Sequence, residues 1–263
     1  MNILFIGDIV GKPGRTAVRE AIRELQETED IDLFIANGEN SAGGSGITPK
    51  IAAELFESGV SVITSGDHIW RKKEVLELFA STDKVLRPAN YPPNSPGKGS
   101  CVVTSASGIS VGVINILGRV FMQPADCPFR AVESHVIALR RITPIILVDF
   151  HAEATSEKIA MGWFLDGKVS AVVGTHTHIP TADAKLLPKH TAYITDVGMV
   201  GSEQSVLGRD IKPVVEHFVT GLPTQFTIAS DNIVLQSVLI NIDDKTGHAT
   251  GITRMEKKLC QAN

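Results

Sequence analysis

Short apolar runs alternate with amphipathic stretches along the first half of the chain. Three of these runs have the length of buried strands, and they lie at Ile3–Ile6, Asp32–Ala36 and Val60–Thr64. The stretches after them carry apolar residues at helical spacing and predict helices at Pro13–Gln26, Pro49–Ser58 and Lys72–Ala80. This alternation of strands and helices predicts a parallel sheet with right-handed crossover connections.

A proline-rich loop at Arg87–Pro93 interrupts this alternation, because a helix cannot run through it. Beyond the loop, Cys101–Thr104 and Ser110–Leu117 predict an antiparallel hairpin that turns at Ser107-Gly108. Buried strands are predicted next at Ile145–Phe150, Ala171–Gly174 and Thr191–Thr195. Helices are predicted at Arg130–Arg141 and Ser156–Leu165.

The C-terminal part of the chain predicts β-structure. Between Gln225 and Ile242, two apolar runs flank Ser230-Asp231-Asn232, a sequence that predicts a turn between two strands. The chain contains no internal repeat, low-complexity tract or long linker that would divide it. We therefore expect a single α/β domain over residues 1–263, built on two packed sheets.

Composition and charge exclude several classes of protein. The chain has 263 residues, of which 43% are hydrophobic and 21% charged, as is typical of a soluble globular protein. A formal net charge of -4 argues against a broad surface for nucleic acid or membrane. Its three cysteines, Cys101, Cys127 and Cys260, lack zinc-site spacing and are interpreted as reduced thiols. With no basic leader and no membrane-spanning apolar run, we expect a cytoplasmic protein, either monomeric or homo-oligomeric.

Polar side chains typical of metal binding or proton transfer follow five of the apolar runs. In chain order these side chains are Asp8, Glu39, Asn40, Asp67, His68, His151, His176 and His178. Because the carboxyl ends of parallel strands meet at one edge of a sheet, we expect the eight groups to lie close together. The i, i+2 spacing of the last two histidines points both rings to the same side of an extended chain.

Each of these residues also has an ordinary structural interpretation. Asp8 fits a turn or a helix cap, Glu39 an exposed carboxylate, and His151 a core histidine. Taken together, however, so many buried charges would repel one another and lose hydration unless a cation neutralised them. Mixed imidazole and carboxylate ligands favour Fe, Mn, Zn or Co over Ca or Mg.

The number of candidate ligands favours two metal ions. Six to seven ligands exceed what one catalytic ion with an open position needs, and a carboxylate can bridge two ions about 3.5–4 Å apart. This arrangement suits a mechanism in which a hydroxide between the ions attacks phosphorus and an acid protonates the leaving oxygen. His68 is a candidate for that acid, since imidazole titrates in the useful range.

The order of these motifs resembles the metallophosphoesterase superfamily, whose usual pattern is D-x-H, G-D-x-x-D, G-N-H-[DE], an isolated H and G-H-x-H. This chain departs from it at Asp8-Ile9-Val10, at Asn37-Gly38-Glu39-Asn40 and at Gly174-Thr175-His176-Thr177-His178. With these departures the chain is similar to the bacterial YmdB-like branch over nearly its full length. The resemblance implies a four-layer αββα sandwich with two mixed sheets, a di-iron or similar bimetal site, and phosphodiesterase activity on 2′,3′- or 3′,5′-cyclic nucleotides.

The resemblance also implies a set of ligands for each ion. One ion would bind Asp8, Glu39, Asn40 and His178. The other would bind Glu39, Asp67, His151 and His176, so that Glu39 bridges the two, and iron is the expected metal, with Mn or Zn as alternatives. Asn40 supplies a neutral oxygen in this scheme, although a structural role at the Gly43–Gly46 turn fits it nearly as well. Asp196 fits either a residue that supports the ligands or a turn before Gly198.

The chain also departs from the branch at Asp67, where the other members have asparagine, and at Arg71, where they usually have an acidic residue. Three carboxylates and a hydroxide balance two divalent ions, so Asp67 would tighten metal binding and weaken the attraction for a phosphate anion. The sequence is also compatible with three rival functions: a phosphomonoesterase or nuclease with the same site, a low-turnover nucleotide or metal sensor, and a metal-free binding module.

Overall fold

The computed structural model describes residues 1–259, and in this range the strands form two sheets. The seven strands of the larger sheet are β1 Asn2–Ile6, β2 Asp8–Ile9, β3 Leu33–Asn37, β4 Val60–Thr64, β11 Met199–Ser202, β12 Ile233–Ile242 and β13 Ala249–Lys258. The six strands of the smaller sheet are β5 Ser100–Thr104, β6 Ser110–Leu117, β7 Ile146–His151, β8 Ala171–Thr175, β9 Lys185–Leu186 and β10 Ala192–Ile194. The α-helices of this range are α1 Gly11–Thr28, α2 Pro49–Glu57, α3 Val75–Ser81, α4 Pro128–Leu139, α5 Thr155–Leu165 and α6 Ile211–Thr220.

Both sheets are mixed. The larger one has the order β2-β11-β12-β1-β3-β4, with β13 paired to β12. As predicted from the alternating pattern, β1, β3 and β4 are parallel, whereas β12 runs antiparallel to β1. The smaller sheet has the order β5-β6-β7-β8-β10-β9; its four central strands are parallel, and the strand at each edge is antiparallel.

The two sheets and the helices stack in four layers. Successive side chains of β1 point to opposite faces, so Ile3 and Phe5 share a core cluster with Val113 of the smaller sheet. Leu4 and Ile6 face the other way and pack with α1, α2 and α3. The outer face of the smaller sheet packs against α4 and α5. The predicted sandwich of two mixed sheets flanked by helices is therefore confirmed.

The larger sheet forks at Gly7. The Gly7 amide donates to the carbonyl oxygen of Gln236 in β12 (3.0 Å), whereas the next amide, that of Asp8, donates to Gly198 (3.0 Å). The chain thus leaves β12, and β11 enters between β2 and β12. A Cβ atom at position 7 would collide with the carbonyl of Gly198, so only glycine fits this close approach. The fork carries Asp8 to the edge where the other strands end.

The prediction for the C-terminal part is wrong in its strand pairing. β12 is a strand as predicted, but the run before it forms only an isolated bridge at Ile228. Both edges of β12 are already taken, one by β13 and the other by β1 and β11. The hairpin is therefore β12–β13, and it turns at Asp243, whose carboxylate accepts the Lys245 amide (3.1 Å). Helix α6 was not predicted.

Smaller differences concern the third helix and the cysteines. A 3-10 turn at Ile69–Arg71 precedes α3, so that helix begins at Val75 instead of Lys72. Cys101 and Cys127 are free thiols, and Cys260 lies outside the described residues. In residues 1–259, no helix combines the length and the apolar character needed to cross a membrane.

Candidate metal centre

All eight predicted site residues meet at one edge of the sandwich. The larger sheet and its loops contribute Asp8, Glu39, Asn40, Asp67 and His68, and the smaller sheet contributes His151, His176 and His178. Side-chain contacts of 4.0 Å or less connect all eight into one cluster. This placement agrees with the expectation that the ends of strands from separate segments converge at one edge.

Four of these side chains form a compact group. Glu39, Asp67, His151 and His176 each place one ligand atom within 4.8 Å of the others. His151 Nε2 lies 3.2 Å from Glu39 Oε1, 3.5 Å from Asp67 Oδ1 and 3.0 Å from His176 Nδ1. Two nitrogens that each lie about 2.1 Å from one ion at right angles are about 3.0 Å apart. The spacing of the two imidazoles therefore fits a shared metal ion.

The remaining candidates form a second group beside Glu39. Asp8 Oδ1 lies 4.0 Å from His178 Nε2, and Asn40 Nδ2 lies 3.1 Å from the same nitrogen. Asn40 Nδ2 also donates to Glu39 Oε1 (3.1 Å), while Asn40 Oδ1 accepts from His68 Nδ1 (2.8 Å). In this orientation the amide nitrogen faces His178, and a ligand role for the oxygen requires the amide to be turned by 180°. Glu39 lies between the two groups.

Two carboxylate oxygens in the cluster are buried without a hydrogen-bond partner, Asp8 Oδ1 and Asp67 Oδ1. A buried polar atom without a partner costs free energy, and a buried negative charge costs more. A cation bound by these oxygens removes that cost. Imidazole and carboxylate together are ligands that transition metals prefer, so the residues present fit a transition-metal centre.

The pKa values of the cluster reflect burial and the charge of His151. Burial raises the pKa of Asp8 well above its ordinary value. Burial alone would also raise the pKa of Glu39, but the charge of His151 and its hydrogen bond lower it to about 2. Burial and the same positive charge lower the pKa of His176 to about 3, so its ring is neutral at neutral pH. A neutral ring has the lone pair that a metal ligand needs.

A hydrogen-bonded chain behind His151 fixes its tautomer. The Thr175 hydroxyl donates to Asp149 Oδ1 (2.7 Å), so it accepts from His151 Nδ1 (2.9 Å). Asn37 Nδ2 donates to the other oxygen of Asp149 (3.1 Å). When a metal ion replaces the Nε2 proton of the charged ring, this chain keeps the remaining proton on Nδ1, and the Nε2 lone pair of His151 faces the compact group. These supporting residues were missed from sequence; their signal was a polar side chain inside an otherwise apolar strand.

The loop that carries His176 and His178 has an unusual backbone conformation. Both residues have positive φ, 102° and 63°, a region that is costly for residues other than glycine. The His176 amide donates to Asp8 Oδ2 (3.1 Å), and His178 Nδ1 donates to the carbonyl of Leu207 (3.2 Å). These bonds hold the two imidazoles in place against the strain.

A buried ion pair supports the same loop from behind. Lys158 Nζ donates to Asp196 Oδ2 (2.6 Å) and to the carbonyl of Thr175 (2.7 Å), and both charged side chains are buried. Asp196 Oδ2 also accepts the Thr177 amide (3.1 Å), and its other oxygen accepts the Gly198 amide (2.9 Å). Asp196 thus holds the turn before Gly198, which was one of the two roles considered from sequence, and it also contacts the loop of His176 and His178. Lys158 was not predicted, because no motif marks it.

A cavity of about 410 Å³ opens beside the cluster. Its walls include three imidazoles of the site together with cationic and aromatic side chains: His68, His176, His178, Arg209, Phe218 and Phe226. The half-buried Arg209 guanidinium donates to the carbonyl of Gly44 (2.6 Å). Arg71, considered from sequence as a source of positive charge, is exposed and does not line the cavity. The positive charge at this cavity comes from Arg209 instead.

Comparisons with known proteins agree with these observations. Residues 4–255 match the family described as YmdB-like protein. Over 255 residues the chain is 48% identical to the 2′,3′-cyclic-nucleotide 2′-phosphodiesterase of Bacillus subtilis strain 168, and the match covers 97% of this chain and 96% of the relative. The crystal structure of a hypothetical protein from Thermus thermophilus has a TM-score of 0.91 at 40% identity, with 98% of this chain and 99% of that one covered. The crystal structure of a Mycoplasma pneumoniae phosphatase has a TM-score of 0.91 at 32% identity, with 98% and 93% covered.

Proposed function

Because the chain belongs to the YmdB-like protein family, we propose that it is a two-metal phosphodiesterase that hydrolyses small cyclic nucleotides. The first proposed substrates are the 2′,3′-cyclic nucleotides named for the Bacillus relative, and the second are 3′,5′-cyclic nucleotides. The observation that carries the proposal is the compact group, whose four ligand atoms lie within 4.8 Å of one another. We also propose that the chain is one domain that acts in the cytoplasm, where Cys101 and Cys127 stay reduced.

Seven side chains are proposed as ligands. One ion is assigned Asp8, Glu39, Asn40 and His178, and the other is assigned Glu39, Asp67, His151 and His176. Iron is the proposed metal, with manganese or zinc as alternatives, since all three accept mixed imidazole and carboxylate ligands. When bound, such ions polarise phosphoryl oxygens and lower the pKa of a bound water.

His68 is proposed to give the leaving group its proton. Its side chain lines the cavity, and its Nδ1 donates to Asn40 Oδ1 (2.8 Å). With Nδ1 bonded in this way, Nε2 is the ring atom that takes and releases the catalytic proton. If the Asn40 amide turns to offer its oxygen as a ligand, its NH₂ group donates to Nδ1, and Nε2 again carries the proton.

The proposed reaction opens the cyclic phosphate. A water molecule attacks phosphorus and releases one proton to the solvent, the bond from phosphorus to the 2′ oxygen breaks, and His68 Nε2 protonates that oxygen as it leaves. The positive charge of Arg209 at the cavity favours the entry of the phosphate anion. Water then restores the proton to His68, which is accessible from the cavity.

The proposal is tested on protein purified without chelator, by elemental analysis followed by a hydrolysis assay on the same sample. We expect about two equivalents of metal and turnover of 2′,3′-cyclic AMP. His68→Ala should lower turnover by about 10²-fold with unchanged metal content, because general acid catalysis contributes at least that much. The exposed His248, replaced by alanine, is the matched control.

Three outcomes would contradict the proposal. Protein without bound metal indicates a binding module, and turnover of p-nitrophenyl phosphate alone indicates a phosphomonoesterase. Hydrolysis that is indifferent to His68→Ala, combined with tight nucleotide binding, indicates a sensor.

The carboxylate of Asp67 is expected to tighten metal binding at a cost in substrate affinity. Its Oδ1 lies 3.5 Å from His151 Nε2, and three carboxylates leave less positive charge at the site than two. Asp67→Asn should weaken metal retention about tenfold and lower KM for 2′,3′-cyclic AMP. Chelator competition and steady-state kinetics measure the two effects, with the exposed Asp83→Asn as control. Unchanged metal affinity and unchanged KM would rule out the charge argument.

A further inference from the structure

The cavity beside the metal ligands has an apolar part that the proposed chemistry does not use. This part is formed by Leu207, Val214, Phe218 and Phe226. Leu207 precedes helix α6, two of the other residues lie on the helix, and Phe226 follows it. One cavity therefore joins a polar, metal-binding wall to an apolar wall that includes two phenylalanines.

Helix α6 does not bury its apolar residues in the protein core. Val214 is its buried residue, whereas Phe218 is 80% exposed and Phe226, after the helix, is 39% exposed. Apolar side chains that stay exposed beside a polar site indicate a surface that is covered by a ligand. Because Phe218 lines the cavity, the ligand that covers its ring is expected to be the one that binds in this cavity.

The two phenylalanines belong to a cluster of three rings. The His217 ring lies 5.8 Å from the Phe218 ring and 5.6 Å from the Phe226 ring, measured between centroids. His217 Nδ1 donates to the carbonyl of Leu222 (2.7 Å), a bond that fixes the central ring. An ordered aromatic surface next to an exposed cavity is a suitable platform for a flat heterocycle, since base stacking needs only a π-face.

We infer that Phe218 and Phe226 form the nucleobase subsite of this cavity. The inference rests on the proposed function, in that the phosphate of the same ligand would lie at the metal ligands. A volume of about 410 Å³ falls in the range of sites for small ligands. Stacking on a phenylalanine ring does not depend on the hydrogen-bonding groups of the base. This subsite therefore accepts all four bases and favours purines for their larger rings.

The test compares a nucleotide with a cyclic phosphate that lacks a base. Phe218→Ala and the double variant Phe218→Ala/Phe226→Ala are assayed with 2′,3′-cyclic AMP and with glycerol 1,2-cyclic phosphate. We expect kcat/KM for the nucleotide to fall about tenfold relative to that for the base-free diester, through KM. Phe218→Tyr should retain the parent ratio. Val219→Ala is the matched control, because Val219 lies on the same helix, is 79% exposed and does not line the cavity.

Two results would overturn the inference: an unchanged ratio of the two kcat/KM values, whether or not both values fall, or a change in molecular mass without a change in KM. If the parent protein hydrolyses neither diester, the proposed function fails, and the subsite is then tested by binding of adenosine 3′-monophosphate. An unchanged Kd for that ligand in the double variant overturns the subsite independently of turnover.

Discussion

Replacing Glu39 by glutamine is expected to lower kcat/KM for 2′,3′-cyclic AMP by about 10³-fold and to reduce bound metal from about two equivalents to one or less. Glu39 lies between the two groups of candidate ligands: Oε1 is 3.2 Å from His151 Nε2 and accepts from Asn40 Nδ2, and Oε2 accepts the His68 amide (3.0 Å). Glutamine removes the negative charge and turns one acceptor into a donor. Several kcal/mol of transition-state stabilisation by the ions are then lost, and each 1.4 kcal/mol corresponds to a factor of about ten.

Elemental analysis and steady-state kinetics on the same preparation measure both effects. Glu203→Gln is the matched control, because Glu203 is exposed and pairs with Lys258 at the surface. Full metal content together with parent kcat/KM in Glu39→Gln would show that Glu39 does not bridge two ions. Loss of one equivalent with retained activity would indicate that a single ion suffices.

Replacing Lys158 by methionine is expected to destabilise the protein by about 3–5 kcal/mol and to lower Tm by roughly 10 °C. Methionine is similar in length and cannot neutralise Asp196, which then remains buried as an uncompensated charge. The carbonyl of Thr175 loses its donor as well, and the adjoining His176–His178 loop loses part of its support. Metal affinity should therefore fall about tenfold in the variant that does fold.

Thermal unfolding of the chelator-treated protein separates the loss of stability from the loss of metal. The double variant Lys158→Met/Asp196→Asn should recover part of the stability, because it removes the unpaired charge together with its partner. Lys98→Met is the control, since Lys98 forms an exposed pair with Asp83 that contributes little. A Tm for Lys158→Met within about 2 °C of the parent would contradict the role assigned to this ion pair.

The sequence predicted that the candidate ligands lie together, because each of them follows an apolar run that is easy to recognise. His151 and the pair His176 and His178 come at or directly after the ends of buried strands, and chain topology alone brings such positions to one edge. The supporting groups could not be found in the same way. The contacts of Lys158 with Asp196 and of Asn37 with Asp149 join residues 38 and 112 positions apart, and a single sequence contains no record of them.

The errors in the predicted fold also arise because a single sequence does not show which distant segments pair. Ser230-Asp231-Asn232 has the composition of a hairpin turn, but turn composition does not determine which strand pairs with which. The true partner, β13, alternates between buried and exposed residues only weakly, so its pattern is faint. Helix α6 has apolar residues at helical spacing, from Ile211 to Phe218, yet most of them face the solvent or the cavity rather than the core.

The fork at Gly7 has a consequence for how the protein is made on the ribosome. The fork holds Asp8 in place through backbone bonds to Gly198 and Gln236, which are synthesised almost 200 residues later or more. A nascent chain that has released only its first four strands contains Glu39 and Asp67, but Asp8 still lacks the strands that fix it. The complete set of candidate ligands is therefore expected to form only after β12 has emerged, and under the proposed function metal loading would be a late event in synthesis.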